Sequence, residues 1–460
     1  MFKKTSIFII VTAILISAGH SHASGFRTFE LSARAATLGG AFVARVDDAS
    51  AIYYNPAGIA FLDGIRLKLN VLYNDLTTTA NYEGATSKIE SFSNQIWGSY
   101  FFSWQLSEKI SLGIGGFVPY AMDTNWPRHW RGITLNDNSR LRTFYIRPQV
   151  AFKVFDKLSI GAGLDFVLSE VSWDHNIIFQ SDAFGSSVEA DILSKFKVSG
   201  NGLGFAVGIL YTVNDKLKVG SKYQHKVDID LKGDNFYRIP YWWELEAPID
   251  LSIDDLRALE SLMKYLYKYQ KVTSVITMPA ELALGFMYSL TNKLTLQLDL
   301  QWTGWSKIKT WEFISESKDE NLGPEFVEHY WDSYGKSPSY SKQSVDFSWK
   351  DTVSFKLGAE FYLNDFFAFR AGYTNQQSYL YGDVLSPILL DLNRNTVSFG
   401  IGYEGPMFDI FDVDQITGEF SFDAFFQYVF PESRTSSLFG LPVSYEGDHW
   451  TTGIGVGFNF

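Results

Sequence analysis

Few residues of this sequence have the types and spacing that catalysis or metal binding requires. The chain has 460 residues, seven histidines and no cysteine. Beyond His20 and His22 the histidines are dispersed, with neither an HExxH motif nor a pair at metal-ligand spacing. No G-x-S-x-G nucleophile elbow occurs. The sequence therefore predicts a protein that is not an enzyme and that uses no metal or other cofactor.

The segments that stand out are apolar, and the first is an amphipathic helix at 251–271. Ser252 and Asp255 have the spacing of a capping box, which predicts the start of the helix. Its apolar side is formed by Leu256, Leu259, Leu262, Met263 and Leu266. Such a face must be buried against the protein or offered to an apolar ligand. Both alternatives stay open, and the second makes these residues a candidate ligand-capture site.

A second unusual segment is DDASAIYYNPAGIAFLDG, residues 47–64. It is rich in small residues, and Asn55-Pro56 excludes a regular strand because proline has no N–H to donate. It precedes a long series of strand-like segments, so its function depends on what those strands build.

The N-terminus has the three parts of a secretory signal. Lys3 and Lys4 are followed by an apolar stretch at 7–16 and by Ser-His-Ala at 21–23, which resembles a cleavage site. About ten apolar residues are too few to cross the ~30 Å of a bilayer's hydrocarbon core. We therefore predict residues 1–23 as a signal peptide.

Charge and hydropathy narrow the class of protein further. The formal net charge of −12 and the lack of a basic run argue against a nucleic acid partner. After the signal, no stretch of 18 apolar residues occurs, which excludes a helical membrane protein. The absence of cysteine suits passage through an oxidising periplasm. A secreted soluble protein and an outer-membrane barrel remain.

Alternation with period two dominates the rest of the chain. KLTLQLDLQW (293–302) and FSFDAFFQYVF (420–430) place apolar residues at every second position. Many such segments run for ten residues or more, the length that a tilted strand needs to cross a bilayer. Soluble sandwiches usually have strands of about 5–6 residues. The pattern therefore favours a transmembrane β-barrel.

Short and long connections alternate between these strands. The short polar turns lie at 106–110, 155–158, 214–217, 291–294 and 363–366. The long connections are predicted at roughly 80–93, 121–139, 172–197, 233–278, 309–349, 379–394 and 432–448. This asymmetry is typical of bacterial barrels, with turns on the periplasmic side and loops outside. One segment, 404–417, fits poorly because it is long where a short turn is expected.

The fold prediction is an all-β protein with about 14 antiparallel strands closed into a transmembrane barrel over residues 65–460. Such a barrel is too wide for wall side chains to fill. Residues 24–64 are the natural N-terminal hatch, a plug inside the lumen, and the alternative is a periplasmic tail. The last strand ends in Phe460, a terminal aromatic residue of the kind that bacterial barrel-assembly machinery recognises.

Several segments of the chain are distinctive in combination, beginning with SGF at 24–26, Asp48-Ala49 and Asn55-Pro56-Ala57. Others follow at 116–132, 147–163, 276–308 and 391–404. In these segments the sequence resembles the FadL-type outer-membrane transporters of long-chain fatty acids and other hydrophobic compounds. The resemblance implies a fourteen-strand barrel with an N-terminal hatch, and the predicted hatch residues are Phe26, Asp48, Asn55, Pro56 and Ala57.

A candidate wall gap lies in the third strand. Gly115 and Gly116 allow a bend, and Pro119 removes a ladder hydrogen bond. The alternative is that the strand simply ends there, at the membrane surface. In the family that this sequence resembles, the third strand carries an inward kink. Substrate leaves sideways into the bilayer through the gap that the kink creates.

A fatty acid would also need a cation for its carboxylate. Arg140, Arg142 and Arg147 flank the fourth strand and are the predicted partners, with Lys356 and Arg370 as further candidates. The choice among them stays open. The resemblance leads us to expect a cation after the fifth strand, but the sequence there, SEVSWDHN (169–176), offers only a histidine. Neutral hydrocarbons therefore stay open as cargo.

The predicted function is passive uptake of long-chain fatty acids or similar hydrophobic molecules across an outer membrane of the Gram-negative type. It includes capture by loops, an internal apolar pocket, movement of the hatch and lateral release. The alternatives are an aromatic-hydrocarbon channel of the same family and a barrel that binds or supports without transporting. The predicted partners are the hydrophobic cargo, outer-membrane lipid and lipopolysaccharide, and the barrel-assembly machinery.

Overall fold

A computed structural model describes most of the chain. The described residues are 27–28, 30–82, 89–127, 136–181, 188–245, 251–267, 269–317, 340–346, 349–380, 391–406, 418–436 and 442–460.

Nineteen strands form one antiparallel sheet in this part of the chain. They are β1 (Ile65–Tyr82), β2 (Ile89–Gln105), β3 (Ile110–Phe117), β4 (Ala121–Asn125), β5 (Asn138–Phe155), β6 (Leu158–Ser181), β7 (Val188–Asn214), β8 (Leu217–Gln224), β9 (Val227–Arg238), β10 (Gln270–Met278), β11 (Glu281–Ser289), β12 (Leu294–Thr303), β13 (Thr310–Ser317), β14 (Tyr340–Asp346), β15 (Thr352–Tyr362), β16 (Phe367–Gln376), β17 (Arg394–Pro406), β18 (Glu419–Ser436) and β19 (Val443–Asn459).

These strands make fourteen spans of a closed barrel. Five spans are interrupted once, so that β3 and β4 share a span, as do β8 and β9, β10 and β11, β12 and β13, and β14 and β15. The ring closes where β1 pairs with β19 on one side and with β2 on the other. Gly64 lies just before β1 and has a φ of 68°, which glycine adopts readily. The predicted barrel and its number of strands are confirmed.

The two faces of the wall differ as the alternation predicts. On β12, Leu296 and Leu300 point outward and are each 40 % exposed, whereas Gln297 and Asp299 point inward and are buried. Leu203 on β7 is 70 % exposed on the outer face. An apolar outer surface and a polar inner surface are what a barrel in a bilayer requires.

The strands on the long-loop side extend further than we predicted. The connection predicted at 172–197 was wrong, because β6 continues to Ser181 and β7 begins at Val188. Parts of the other predicted connections are also strand, in β4, β9, β10, β13, β14, β18 and β19. The hairpin of β6 and β7 keeps period two, but apolar residues such as Val188, Ile192 and Phe196 face the interior and the charged residues between them face outward, the reverse of a membrane-spanning strand. The poorly fitting segment 404–417 is strand to Pro406, and 407–417 lies outside the described residues.

The helices are short. They are α1 (Ala33–Thr37), α2 (Ala51–Tyr54) and α3 (Ile253–Leu266), with 3₁₀ turns at Pro56–Phe61, Trp242–Glu244 and Trp305–Lys307. None of the helices in the described ranges combines the length and the hydrophobicity that crossing a membrane takes. Asn55 caps the first 3₁₀ turn by accepting a hydrogen bond from the N–H of Ala57, and Pro56 occupies its first position.

The N-terminal segment, which we define as residues 27–64, is bonded to strands around the whole ring. Ser99 on β2 donates to Leu31 O at 2.5 Å, and Gln427 on β18 donates to Ala36 O at 2.9 Å. From other directions, Asp299 on β12 accepts from the N–H of Phe42 at 2.7 Å, and β6 donates to Ala57 O. The segment therefore has wall strands on all sides, and its predicted role as a hatch stays a prediction.

Candidate functional site

The barrel wall is interrupted in its third span, between Phe117 and Ala121. Strand β5 pairs with both halves, so that Val118, Pro119 and Tyr120 face only two residues of β5. On the other side, the ladder between β2 and β3 ends at the pair Tyr100 and Gly116. In the described ranges, the rest of β2 pairs only with β1, although β4 lies beside it. We call residues 118–120 and this unbonded edge the wall break.

The two glycines before the wall break allow close packing on opposite faces of the wall. A Cβ at Gly116 would lie 2.3 Å from Cε1 of Tyr100, whose ring covers the outer face. A Cβ at Gly115 would lie 2.8 Å from Cγ2 of Ile52, inside the barrel. Since real Cβ contacts are longer than this, either substitution requires a neighbour to move.

The start of the N-terminal segment binds the backbone of the wall break. The N–H of Thr28 donates to Pro119 O at 3.0 Å, and its hydroxyl donates to Val118 O at 2.9 Å. Arg27 forms an antiparallel β-bridge with Tyr120. Thr28 alone therefore satisfies two carbonyls that the wall itself leaves without a ladder.

Arg27 is held in place by a buried polar cluster. Its guanidinium donates to Glu281 at 2.8 Å and to the Tyr53 hydroxyl at 3.0 Å, and Tyr120 donates to the same carboxylate at 2.8 Å. Burial alone would lower the pKa of Arg27, but Glu281 raises this pKa above its usual value, so the side chain stays charged. The connection between the segment and the wall break is thus charge-assisted.

A continuous series of aromatic rings, which we call the aromatic file, runs inside the barrel from its long-loop end to the wall break. Neighbouring ring centroids are 4.5 to 6.3 Å apart, within the range of favourable aromatic contacts. The aromatic file consists of Trp349, Tyr379, Trp305, Tyr120, Tyr145, Phe117 and Tyr53, all buried. The rings pack on one another and form a continuous apolar part of the barrel interior between Trp349 and the wall break.

The predicted hatch residues bind the segment to the wall. The Asn55 amide donates to Val43 O at 2.9 Å and to Ile209 O on β7 at 3.0 Å. Asp48 accepts from the N–H of Ser50 at 2.8 Å. Pro56 and Ala57 lie against Gly161 on β6. Phe26 lies outside the described residues.

On the far side of the barrel, the segment is bound by buried ion pairs that we did not predict. Arg34 and Arg45 both contact Asp47 and Glu360, and Arg34 also contacts Glu404. On the wall, Arg370 contacts Glu360 at 2.7 Å and Asp423 at 2.5 Å. Lys68 contacts Asp423 at 2.5 Å. The charge cluster thus comprises Arg34, Arg45, Asp47, Lys68, Glu360, Arg370, Glu404 and Asp423. In the sequence, the wall residues of this cluster are recognisable as charges at inward positions of β1, β15, β16, β17 and β18.

The sequence from residue 14 to residue 460 matches the family described as outer membrane protein transport protein (OMPP1/FadL/TodX). The chain belongs to this family. The predicted outer-membrane location is therefore confirmed, as is the prediction that the chain is a transport channel for hydrophobic compounds rather than an enzyme. In the described residues, no group of three or more histidine, aspartate or glutamate side chains could hold a metal ion.

The matches to three relatives and solved structures extend over most of this chain. The long-chain fatty acid transport protein of Salmonella typhi is 22 % identical, and the match covers 88 % of each chain. A FadL homologue from Pseudomonas aeruginosa has the same fold, with a TM-score of 0.74 and 18 % identity over 95 % of this chain and 100 % of that one. The Pseudomonas putida toluene transporter TodX has a TM-score of 0.68 and 15 % identity over 94 % and 99 %.

In this OMPP1/FadL/TodX family protein, the three predicted carboxylate partners do not come together. Arg147 points inward and is completely buried, where it pairs with Asp165 at 2.6 Å and donates to Gln224 at 2.9 Å. Arg140 and Arg142 point to the outer face of the same strand. The two further candidates, Lys356 and Arg370, are paired with carboxylates inside. Binding of a carboxylate by any of them stays a prediction.

The predicted ligand-capture helix packs on the rim of the barrel. Leu259 and Met263 are buried against Phe179 and Ile192 of the β6–β7 hairpin, and Leu256 and Leu262 are partly buried there. The capping box between Ser252 and Asp255 forms as predicted. The side chain of Leu266 lies outside the described part of the structure. Packing on the rim therefore uses the apolar face, and a role in capture stays a prediction.

Proposed function

We propose that this channel takes up long-chain fatty acids or similar apolar molecules passively and releases them sideways into the bilayer through the wall break. The observation that carries the proposal is the binding of Thr28 to the carbonyls of Val118 and Pro119. This contact connects an N-terminal segment inside the ring to a place in the described wall where two adjacent spans lack a ladder between them.

In this proposal the structure corresponds to the closed state. Cargo enters from the external loops and follows the aromatic file towards Tyr120 and Phe117. It then displaces Arg27 and Thr28 from the wall break, and residues 27–64 act as the hatch. The contacts that yield are the hydrogen bonds of Thr28, each contributing about 1 kcal/mol, and one buried ion pair between Arg27 and Glu281. Burial of the apolar surface of a long-chain molecule must offset both.

The interior of the barrel does not decide between a fatty acid and an aromatic hydrocarbon as cargo. A long-chain fatty acid is favoured by the name of the Salmonella relative. An aromatic hydrocarbon is the second candidate, and the aromatic file is the observation that favours it, because aromatic rings pack well on one another. A non-transporting barrel is the alternative that any measured uptake would exclude.

A removable cross-link tests the release step. Arg27 and Tyr120 are bridge partners, and partners in antiparallel strands have Cα atoms about 4.5–5.5 Å apart, within reach of a disulfide. The chain has no other cysteine, so the variant Arg27→Cys, Tyr120→Cys forms a single bond. Uptake of labelled oleate and of toluene into cells that lack their own transporter is measured before and after reduction.

We expect the oxidised form to take up little and the reduced form to recover, for whichever cargo is native. Both forms lack the same two side chains, so only the cross-link differs between them. A matched control is Phe369→Cys, Ile401→Cys, which are register partners on the lipid-facing side of an intact ladder. Equal uptake by the oxidised and reduced forms of the first variant would contradict opening at the wall break.

A further inference from the structure

Two arginines lie on the outer face of the wall beside the wall break. Arg140 and Arg142 belong to β5 and are 39 % and 49 % exposed. In the ladder they are the partners of Asp123 and Ala121 on β4. Arg142 is thus opposite the first residue of β4, directly after the three residues of the break.

These arginines carry more charge than their neighbours neutralise. Asp123 is the only carboxylate within 4 Å of either guanidinium in the described chain, at 3.0 Å from Arg140 Nε and 3.8 Å from Arg142 Nη2. The next strand offers Glu170 opposite Arg142, but this carboxylate pairs with Lys197 at 3.2 Å. One carboxylate is therefore shared by two guanidinium groups, and a further anion can bind there.

Arg142 also reaches across the wall break. Its guanidinium carbon lies 5.5 Å from the ring centroid of Trp97, which occupies a partly buried, inward position on the edge of β2 that has no ladder on this side. Trp97 donates from its indole to Gln95 at 3.1 Å and so has a fixed ring. The cation attracts an anionic group, and the aromatic ring beside it offers an apolar surface to a hydrocarbon chain. Both parts of an acidic amphiphile can therefore bind at the same place.

We infer that Arg142, assisted by Arg140, binds the carboxylate of an amphiphile whose hydrocarbon chain occupies the wall break. This inference rests on the proposed release through that break, and it adds an anionic head-group site on its outer side. The head group then remains at the polar boundary of the outer leaflet while the chain enters the bilayer. Such a site favours acidic amphiphiles over neutral ones of the same length.

Two cargoes of equal chain length separate the head-group site from the release path. The full-length protein is reconstituted in phosphatidylcholine vesicles, and uptake of labelled oleate and of oleyl alcohol is measured. For Arg142→Gln we expect oleate uptake to fall about tenfold, as loss of one charge-assisted contact predicts, with oleyl alcohol unchanged. Arg142→Lys should recover part of the oleate uptake. Lys271→Gln is the control, since this lysine is also 49 % exposed on the outer face and lies on β10.

The outcomes distinguish this inference from the function on which it rests. Equal losses for both cargoes, or no loss for either, overturn the inference and leave the proposed release intact. If the parent protein takes up neither cargo, the proposed function fails and the inference with it. If the effect of Arg142→Gln requires added phosphatidylglycerol, the guanidinium binds a lipid phosphate and the assignment to cargo is wrong.

Discussion

Two nearly opposite sides of this barrel bind the same N-terminal segment in different ways. On the side of β15 to β18 the ladders are continuous, and the segment is bound by the buried charge cluster. On the side of β2 to β5 the ladder is interrupted, and the segment is bound mainly by hydrogen bonds from Thr28 and by Arg27.

This difference indicates which part of the segment moves. Removing one partner of a buried ion pair typically destabilises a protein by about 3–5 kcal/mol, whereas a single hydrogen bond contributes about 1 kcal/mol. The charge cluster holds the segment with several buried ion pairs, whereas the start of the segment has one, between Arg27 and Glu281. The cluster therefore acts as the anchor, and the start of the segment is the part that can leave. The predictions below test each side in turn.

The largest expected effect is on conductance. Deleting residues 24–54 removes most of the segment, and a barrel of fourteen strands is then too wide to be filled by its wall. We expect the deletion variant to conduct small ions in planar bilayers far better than the intact protein does. Folding is checked by heat-modifiable migration in SDS. Equal conductance in both forms would mean that the segment does not obstruct the lumen.

The anchored side is tested by Asp423→Asn. This change leaves Lys68 and Arg370 without their shared carboxylate in a buried position. We expect the free energy of unfolding, measured in denaturant with the barrel in detergent, to fall by about 3–5 kcal/mol. Asp234→Asn breaks an exposed pair with Lys271 and should change the free energy of unfolding by less than about 1 kcal/mol. A similar small effect for both variants would show that the cluster is not an anchor.

The broken side is tested by Gly116→Val. A side chain there displaces the ring of Tyr100 and fills the outer face of the wall break. Valine also favours a regular strand. We expect uptake to fall several-fold while the solubilised protein still binds fatty acid. Ala162→Val is the matched control, because it adds the same branched side chain at an exposed outer position of β6, where the ladders on both sides are intact. Transport by Gly116→Val at the parental rate would contradict lateral release here.

The smallest effect is expected from Thr28→Val. It removes the hydroxyl donor to Val118 O but keeps the shape of the side chain and the backbone bond to Pro119. A loss of about 1 kcal/mol predicts roughly five-fold faster hydrogen exchange at the N–H of Thr28. The exchange of Phe42 N–H, bound to Asp299, should not change. Equal acceleration at both amides would show that the segment moves as one body.

Period-two alternation was enough to predict the membrane-spanning strands, because burial in lipid repeats every second residue. It failed at residues 172–197, where the apolar face of the hairpin of β6 and β7 points into the barrel and the charged residues point outward. The ladder of the third span is interrupted where the sequence has two glycines and a proline, residues that weaken a ladder wherever they occur. The role of this place as a gap for release stays a prediction.

The arginines of β5 show what the sequence offered and what it could not. Arg140 and Arg142 occupy even positions and Arg147 an odd one, so alternation alone assigns them to opposite faces. The charge cluster was harder to predict, because its partners come from chain positions as distant as Arg34 and Glu404. Only the closure of the ring brings such residues within hydrogen-bonding distance.

That closure also constrains the order of assembly. Strand β1 pairs with β19 from Arg66 and Asn459 to Tyr82 and Val443, so the first and last strands are neighbours. The N–H of Ile65 also donates to Phe460 O at 2.9 Å, and the N–H of Phe460 to Ile65 O at 2.8 Å. Until β19 arrives, β1 and β18 each present an unpaired edge, and hydrocarbon offers no partner for its amide groups. The chain must therefore be delivered to the membrane in full before a stable barrel exists, and a truncation of the last strand should yield aggregation rather than a smaller pore.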